Sequence, residues 1–498
     1  MPRADACVVL CVLAALSCKE PPPGSAVCAS STDCADGESC AAAPDPNAAD
    51  LEPLSLACSS KQQGRAAGVG CERGGQCASG ICLLAGACAS PCSRDSDCEA
   101  LQRCQDGYAR GEGGRLHPLS ACVAMVDLPR GTQTSVEVQH AAWSGGIDRL
   151  ALPPTAARTL FLIEHLDDDT WPVPSSASSC RPPLCAVSLA PRTEPDISWF
   201  DREQLLDPDG PKNPIALGDH VYPLSVLVPN GPHAAPDARG YVLAAESKRA
   251  GRARITQLSR IPESGRLDLN LYYAGVFEDA GDDIPEVLQA ALEEVDRIFE
   301  PADVFIGELR QIHVTGELLE RGSELPDAEV SRGFARLKRQ YGVYPQLPEL
   351  FELSAGAGNV ALDVFFVSSI ERQGEAELGG IAGGTPLPFG MHGTGASGIA
   401  IAADALQATP LQLGRALAHE LGHALGLFHT TERDGTTFDP FDDTPSCELD
   451  RDRNGNGLEA SECQGAGADN LMFPTLDPAA FELSPQQIAQ LRAAMILQ

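Results

Sequence analysis

The chain has 498 residues, enough for two to four domains, and carries 69 Asp and Glu against 36 Lys and Arg, a formal net charge of −33. That balance argues against nucleic-acid binding and against electrostatic adhesion to anionic membranes, and it suits solubility and divalent cations. Nineteen cysteines are too many for an ordinary cytosolic enzyme.

Arg3 precedes an eleven-residue apolar run, Ala6–Leu16, too short to span a bilayer but right for a signal-peptide core. Residues 1–17 are expected to be a signal peptide and 18–27 a linker. Leu16-Ser17-Cys18 resembles a bacterial lipoprotein cleavage box, which makes Cys18 the expected lipidation site. Several acyl chains exceed the one-chain threshold for stable anchoring. The chain is therefore expected in the cell envelope, as an outer-membrane lipoprotein touching the membrane only through that anchor, or otherwise secreted. With Cys7 and Cys11 removed and Cys18 lipidated, sixteen of the nineteen cysteines remain, an even number that fits a full set of disulfides.

Residues 28–124 form a Cys-rich repeat region. Cys28-x5-Cys34-x5-Cys40-x17-Cys58 recurs as Cys92-x5-Cys98-x5-Cys104-x17-Cys122, with Cys71, Cys77, Cys82 and Cys88 between them. Each unit has few large apolar residues, so disulfides must replace a core. Spacing leaves the connectivity open. Zinc binding is the competing idea, disfavoured by an oxidising compartment and by the lack of two-residue knuckles. The expected role is a spacer or an adhesive module.

Residues 125–262 read as a β-rich domain and a possible pro-domain. Short apolar or alternating runs recur at Thr134–Val138, Thr159–Ile163, His220–Leu224 and Gly240–Ala244, separated by Pro, Gly and Asp. Cys180 and Cys185 are expected to pair with each other. The sharper alternative, a zymogen cysteine capping a metal, finds no matching flanking residues.

From 263 to 498 the order is strand, helix, strand. Leu267–Tyr272 alternates, and after Asp283 a helical stripe runs through Ile284, Val287, Leu288, Ala291, Leu292, Val295, Ile298 and Phe299. Val304–Val314 and the apolar Ala361–Ser368 read as further strands, and Gly379–Gly383 and Gly398–Ala402 precede a second helix. His392, alone in a Gly-rich loop, is expected to be structural or solvent-facing. The second helix has Thr409 as N-cap, Pro410 at the first position and Gln412 as capping partner.

That helix runs into His419-Glu420-Leu421-Gly422-His423-Ala424-Leu425-Gly426-Leu427-Phe428-His429. Residues four apart share a helix face, so His419 and His423 can aim at one ion. Gly426 accepts the left-handed conformation that ends a helix, letting His429 return to the same point. Three imidazoles leave one tetrahedral position open, the catalytic arrangement of zinc. Glu420, beside the first ligand, can reach a water there and act as general base. The competing readings are a helix with ordinary histidines and a site that keeps zinc without chemistry.

The H-E-x-x-H-x-x-G-x-x-H pattern resembles that of the metzincin clan of zinc endopeptidases. The resemblance implies an α+β or α/β catalytic domain with a twisted mixed sheet and a zinc-site helix, over roughly the last 235 residues. It also implies a methionine turn, for which Asn470-Leu471-Met472-Phe473-Pro474 offers Met472, followed by a closing helix from Ser484. Thr430 and Asp442-Asp443-Thr444-Pro445 resemble the pappalysin-like family, while Leu471–Pro474 resembles matrix metalloproteinases as a second choice. No tyrosine ligand is expected, since Pro474 stands where it would be. By the same resemblance, a sheet edge before the zinc helix would bind an extended peptide.

Asp450-Arg451-Asp452-Arg453-Asn454-Gly455 matches the first half of a calcium loop, so Asp450, Asp452 and Asn454 are candidate calcium ligands, set against a solvated acidic turn. Asp442 and Asp443 are further oxygen donors, and Cys447 and Cys463 are positioned to close the loop. The sequence thus reads as a zinc-dependent endopeptidase acting on extracellular proteins or peptides. The alternative is a surface adhesion protein whose Cys-rich repeats carry the function over an inactive protease scaffold.

Overall fold

The computed structural model describes residues 27–43, 49, 52–60, 63–111, 115–125, 135–144, 147–152, 158–165, 184–191, 216–217, 224–228, 241–247, 250–277, 283–314, 319, 336–338, 344, 346–371, 378–403, 409–475 and 480–498. Cys18, the expected signal peptide, Cys180 and the side chain of Cys185 lie outside these residues.

Each four-cysteine unit closes in one way, first to third and second to fourth. The bonds are Cys28–Cys40 with Cys34–Cys58, Cys71–Cys82 with Cys77–Cys88, and Cys92–Cys104 with Cys98–Cys122. Loops of this length are worth roughly 3 kcal/mol per bond through the restricted unfolded chain. The outer units share a hairpin, Glu38–Ala42 with Leu56–Ser60 and Gln102–Arg110 with Leu116–Ala124. With Cys447–Cys463, the described residues hold seven disulfides, which fits an exported protein. No described helix is long and apolar enough to cross a membrane.

The middle segment forms two antiparallel sheets. One runs in the order Ala216–Leu217, Leu224–Val228, Thr159–His165, Ala250–Ser259, Ser135–Ser144; the other runs Ile147–Leu152, Tyr241–Ser247, Leu184–Pro191.

The last segment is built on β1 (Arg266–Ala274), α1 (Glu286–Phe299), β2 (Phe305–Val314), α2 (Gln346–Glu352), β3 (Leu362–Val367), β4 (Gly380–Ala382), β5 (Gly398–Ala402), α3 (Pro410–Ala424) and α4 (Pro485–Arg492). The sheet order is β2-β1-β3-β5-β4, parallel except for β4, which runs antiparallel along the outer edge of β5. The helix expected after Asp283 begins later, at Glu286, with Pro285 at the N-cap. β1 is not one-sided as its alternation suggested. It is buried along both faces, and Asp268 and Asn270 are satisfied internally, Asp268 accepting from the Glu308 amide (2.7 Å) and Asn270 donating to Asp363 (2.8 Å).

One sheet face, including Leu269, Leu271, Phe366 and Ile399, packs against α1 and α3, and Leu160, Leu162, Leu227 and Leu258 of the middle segment join the same core. The other face presents Tyr272, Phe365 and Val367 to α2, and is completed by Leu84, Tyr108 and Leu116 of the disulfide-rich segment. That segment is therefore docked into the core of the fold. A buried ionic junction ties the three parts. Arg254 bonds Glu164 (2.7 Å) and Asp95 (2.6 Å), and Arg103 bonds Glu164 (3.3 Å) and the His392 carbonyl (2.8 Å). His392 is buried, not solvent-facing: its ring meets Asp363 Oδ2 and the Asn359 carbonyl, each at 2.7 Å.

Candidate metal centre

α3 starts as its sequence dictates. Thr409 Oγ1 accepts from the Gln412 amide (3.3 Å), and Pro410 occupies the first turn, where no amide proton is needed. The helix is buried from Leu413 to Ala424. Its one strong base in that stretch, Arg415, is paired with Glu294 of α1 (3.3 Å). Gly426 then adopts φ 100°, the Leu427 amide bonds the Gly422 carbonyl and the Gly426 amide bonds the His423 carbonyl, both 2.9 Å. This six-to-one and five-to-two pair of bonds is the glycine-terminated stop that reverses the chain.

The reversal brings the three imidazoles together. His429 Nε2 lies 3.2 Å from His419 Nε2 and 3.1 Å from His423 Nε2. The outer nitrogens are committed elsewhere: His419 Nδ1 to the Leu471 carbonyl (2.7 Å), His423 Nδ1 to the Leu427 carbonyl (2.7 Å), and His429 Nδ1 to Glu432 Oε2 (3.1 Å). A carbonyl or carboxylate can only accept, so each Nδ1 carries the proton and each Nε2 presents a lone pair. Burial pushes His419 down to about 3, and the neighbouring His429 acts in the same direction. Three lone pairs aimed at one another repel, whereas a cation at their common point turns the same arrangement into ligation. The donor set, three neutral imidazoles, suits zinc. Among the described residues, the other sets of three metal-ligating side chains within 4.8 Å are cysteines, all disulfide-bonded.

Glu420 is buried, and burial pushes its carboxyl up to about 8 against the opposing hydrogen bond from the Ala382 amide of β4. The edge strand is fitted to it. A Cβ at Gly380 would lie 2.5 Å from Glu420 Cγ and 2.9 Å from Oε1. β4 is half-buried along its length and carries only small or aliphatic side chains.

Met472 is fully buried beneath α3, its sulfur so close that a Cβ at Gly422 would stand 2.6 Å away. Its turn also orients the histidines. The Leu471 carbonyl holds His419, and the Met472 carbonyl accepts from the Thr430 amide (3.1 Å), next to His429. Asn470 shapes the turn, accepting from the Met472 amide (2.9 Å) and donating to Gln487 of α4 (2.9 Å). α4 has a complete capping box at Ser484 and Gln487.

The insert between His429 and Met472 is closed by Cys447–Cys463. The structure does not gather its acidic residues as it gathers the imidazoles. Asp452 Oδ1 accepts from the Gly455 amide (2.7 Å) and Oδ2 from the Gly457 amide (3.0 Å), Asn454 Oδ1 accepts from the Asn456 amide (3.0 Å), and Asp450 sits in an exposed 3-10 turn. Asp443 bonds Ser484 Oγ (2.7 Å) and the Gln486 amide (2.9 Å), serving the start of α4. Sequence reasoning missed Gly380, Ala382 and Glu432. The first two look like any glycine-rich strand, and Glu432 belongs to no spacing rule.

No protein-family model and no curated protein sequence matches the chain. Among solved structures, the chain is similar to mirolysin, solved in complex with compound 9, at 13% identity and a TM-score of 0.29, covering 46% of this chain and 91% of that one. It is also similar to metalloproteinase-II from Bacteroides fragilis at 16% identity and a TM-score of 0.21, covering 38% of this chain and spanning 57% of that one.

Proposed function

We propose that the chain is an exported zinc endopeptidase of the metzincin clan, of pappalysin-like type. The observation that carries this is the convergence of three Nε2 lone pairs, those of His419 and His423 lying 3.2 and 3.1 Å from the His429 nitrogen, with every outer nitrogen held by an acceptor. His419, His423 and His429 would hold the metal. A bound zinc ion supplies Lewis acidity, lowering the pKa of a water and polarising a peptide carbonyl.

The protein's own residues do the rest. Glu420, drawn back to its ionised form by a cation held at the three imidazoles, would accept the proton of the attacking water and return it to the leaving amine, so the carboxylate ends the cycle as it began. The Ala382 amide and the close wall at Gly380 hold that carboxylate against β4. Among the described residues β4 is the edge strand of the sheet beside the site, and an extended substrate pairing with it would lie next to Glu420. The Leu471 carbonyl keeps the first histidine from turning. Purified protein and the variant Glu420→Ala, compared on casein or gelatin, test the assignment. Cleavage by the wild type alone is expected; equal cleavage by both removes Glu420 from the mechanism.

A further inference from the structure

His429 is the ligand that α3 does not hold. His419 and His423 project from the helix and are steadied by backbone carbonyls, which no side-chain substitution removes. His429 lies beyond the chain reversal, its side chain is 22% exposed, and its outer nitrogen meets a side chain, Glu432 Oε2, at 3.1 Å. We propose that Glu432 is the positioning residue for the third zinc ligand, and that the disulfide-closed insert holds Glu432 in place. This rests on the zinc reading above.

An imidazole held at one nitrogen can rotate about its χ angles or present the wrong tautomer. A carboxylate on Nδ1–H fixes both and raises the basicity of the other nitrogen. As a stabilising ion pair such a partly exposed contact would be worth little; its leverage lies in what the ring does next. The turn carrying Glu432 is itself built to hold position. The Glu432 amide donates to the Thr437 carbonyl (2.8 Å), the Gly435 amide to the Glu432 carbonyl (2.9 Å), and Thr431 bridges Phe438. Asp434 Oδ1 accepts from the Thr436 amide (2.9 Å). The insert is stitched along this turn. The Cys447 amide donates to Thr431 Oγ1 (2.9 Å), the Leu449 amide to the Gly435 carbonyl (3.1 Å) and the Leu458 amide to the Arg433 carbonyl (2.9 Å). Gly435 is in the left-handed region at φ 66°, and a Cβ there would lie 2.5 Å from the Leu449 nitrogen, so insert and turn pack backbone to backbone. Cys447–Cys463 closes the insert over a small buried cluster with Leu458 and Phe473, the residue after Met472.

The test is zinc affinity of the full-length protein, by competition with a chelator of known affinity, for wild type, Glu432→Ala and Glu432→Gln. Melting of each metal-free protein is measured beside it. Glu432→Ala is expected to weaken zinc binding by about 10–100-fold and leave metal-free melting unchanged. Glu432→Gln is expected to recover part of the loss, because its amide oxygen also accepts from Nδ1–H. Glu432→Ala binding zinc within twofold of wild type overturns the proposal. So does an affinity loss accompanied by an equal fall in metal-free melting in both variants, which marks general loosening. Wild-type protein that binds no zinc overturns the zinc reading itself and this proposal with it.

Discussion

Gly380→Ala is the sharpest perturbation of the proposed chemistry, because it moves Glu420 without touching a histidine. The new methyl would lie 2.5 Å from Glu420 Cγ, and ordinary contact begins at 3.4 Å, so the side chain must retreat by about 1 Å. Retreat weakens the bond from the Ala382 amide and carries the carboxylate off its line to the site. A misplacement of about 1 Å at a reacting group costs about 10²-fold in rate, or about 2.7 kcal/mol of barrier. Gly380 is not in the left-handed region, so alanine is acceptable to the strand backbone and the fold is retained. The assay pairs kcat on a peptide substrate with zinc per chain. A kcat lowered by about 10²-fold at unchanged zinc content is expected. A variant that holds zinc and keeps wild-type kcat refutes the placement of Glu420 against β4.

Met472 and Gly422 form a second test. Met472→Ala is expected to cost about 2–5 kcal/mol by opening a cavity under α3, and Gly422→Ala about 1–3 kcal/mol by overpacking. A Cβ at Gly422 would lie 2.6 Å from the Met472 sulfur, so the double variant is expected to cost less than the two together, read by urea unfolding; simple additivity contradicts that proximity. Asp439 supplies a pH signature. Burial pushes its carboxyl up to about 8, and its buried Oδ2 has no hydrogen-bond partner among the described residues. The unfolded chain releases that proton near its ordinary value of 3.8. Between those values the folded state binds more protons, so stability falls as pH rises from about 4 to 8. Asp439→Asn should flatten that slope in urea midpoints at pH 5, 6, 7 and 8; an unchanged slope argues against a buried neutral carboxyl. Residues 263–498 expressed alone lose Leu84, Tyr108 and Leu116 from one sheet face and Leu160, Leu162, Leu227 and Leu258 from the other. That fragment is expected to lack a near-UV circular dichroism signal, and a cooperatively folded fragment would contradict the shared core.

Local chemistry was legible wherever the signal was local. Thr409, Pro410 and Gly426 mark the start and stop of α3, and both ends are where those residues place them. The alternation at Leu267–Tyr272 located β1 but misjudged its exposure, since Asp268 and Asn270 look solvent-facing until their partners across the sheet are known. The same effect hid the strand Ala250–Ser259, where Arg254 and Gln257 are buried polar residues that break the period, Arg254 being neutralised by its cross-strand partner Glu164, 90 residues away in the chain. The docking of the disulfide-rich segment was not legible because it rests on a few apolar residues scattered among cysteines. At the site, the ligands and Glu420 stand in a fixed spacing, but the groups that orient them are backbone carbonyls and Glu432, which become partners only when the chain folds.

The central claim is that His419, His423 and His429 form a zinc site that drives hydrolysis. Protein stripped of metal and titrated with zinc, with casein cleavage followed at each addition, tests it directly. Cleavage that rises in proportion to added zinc and levels off at one zinc per chain is the predicted result, with no rise in His423→Ala. Cleavage independent of zinc, or zinc bound equally well by His423→Ala, would contradict the account.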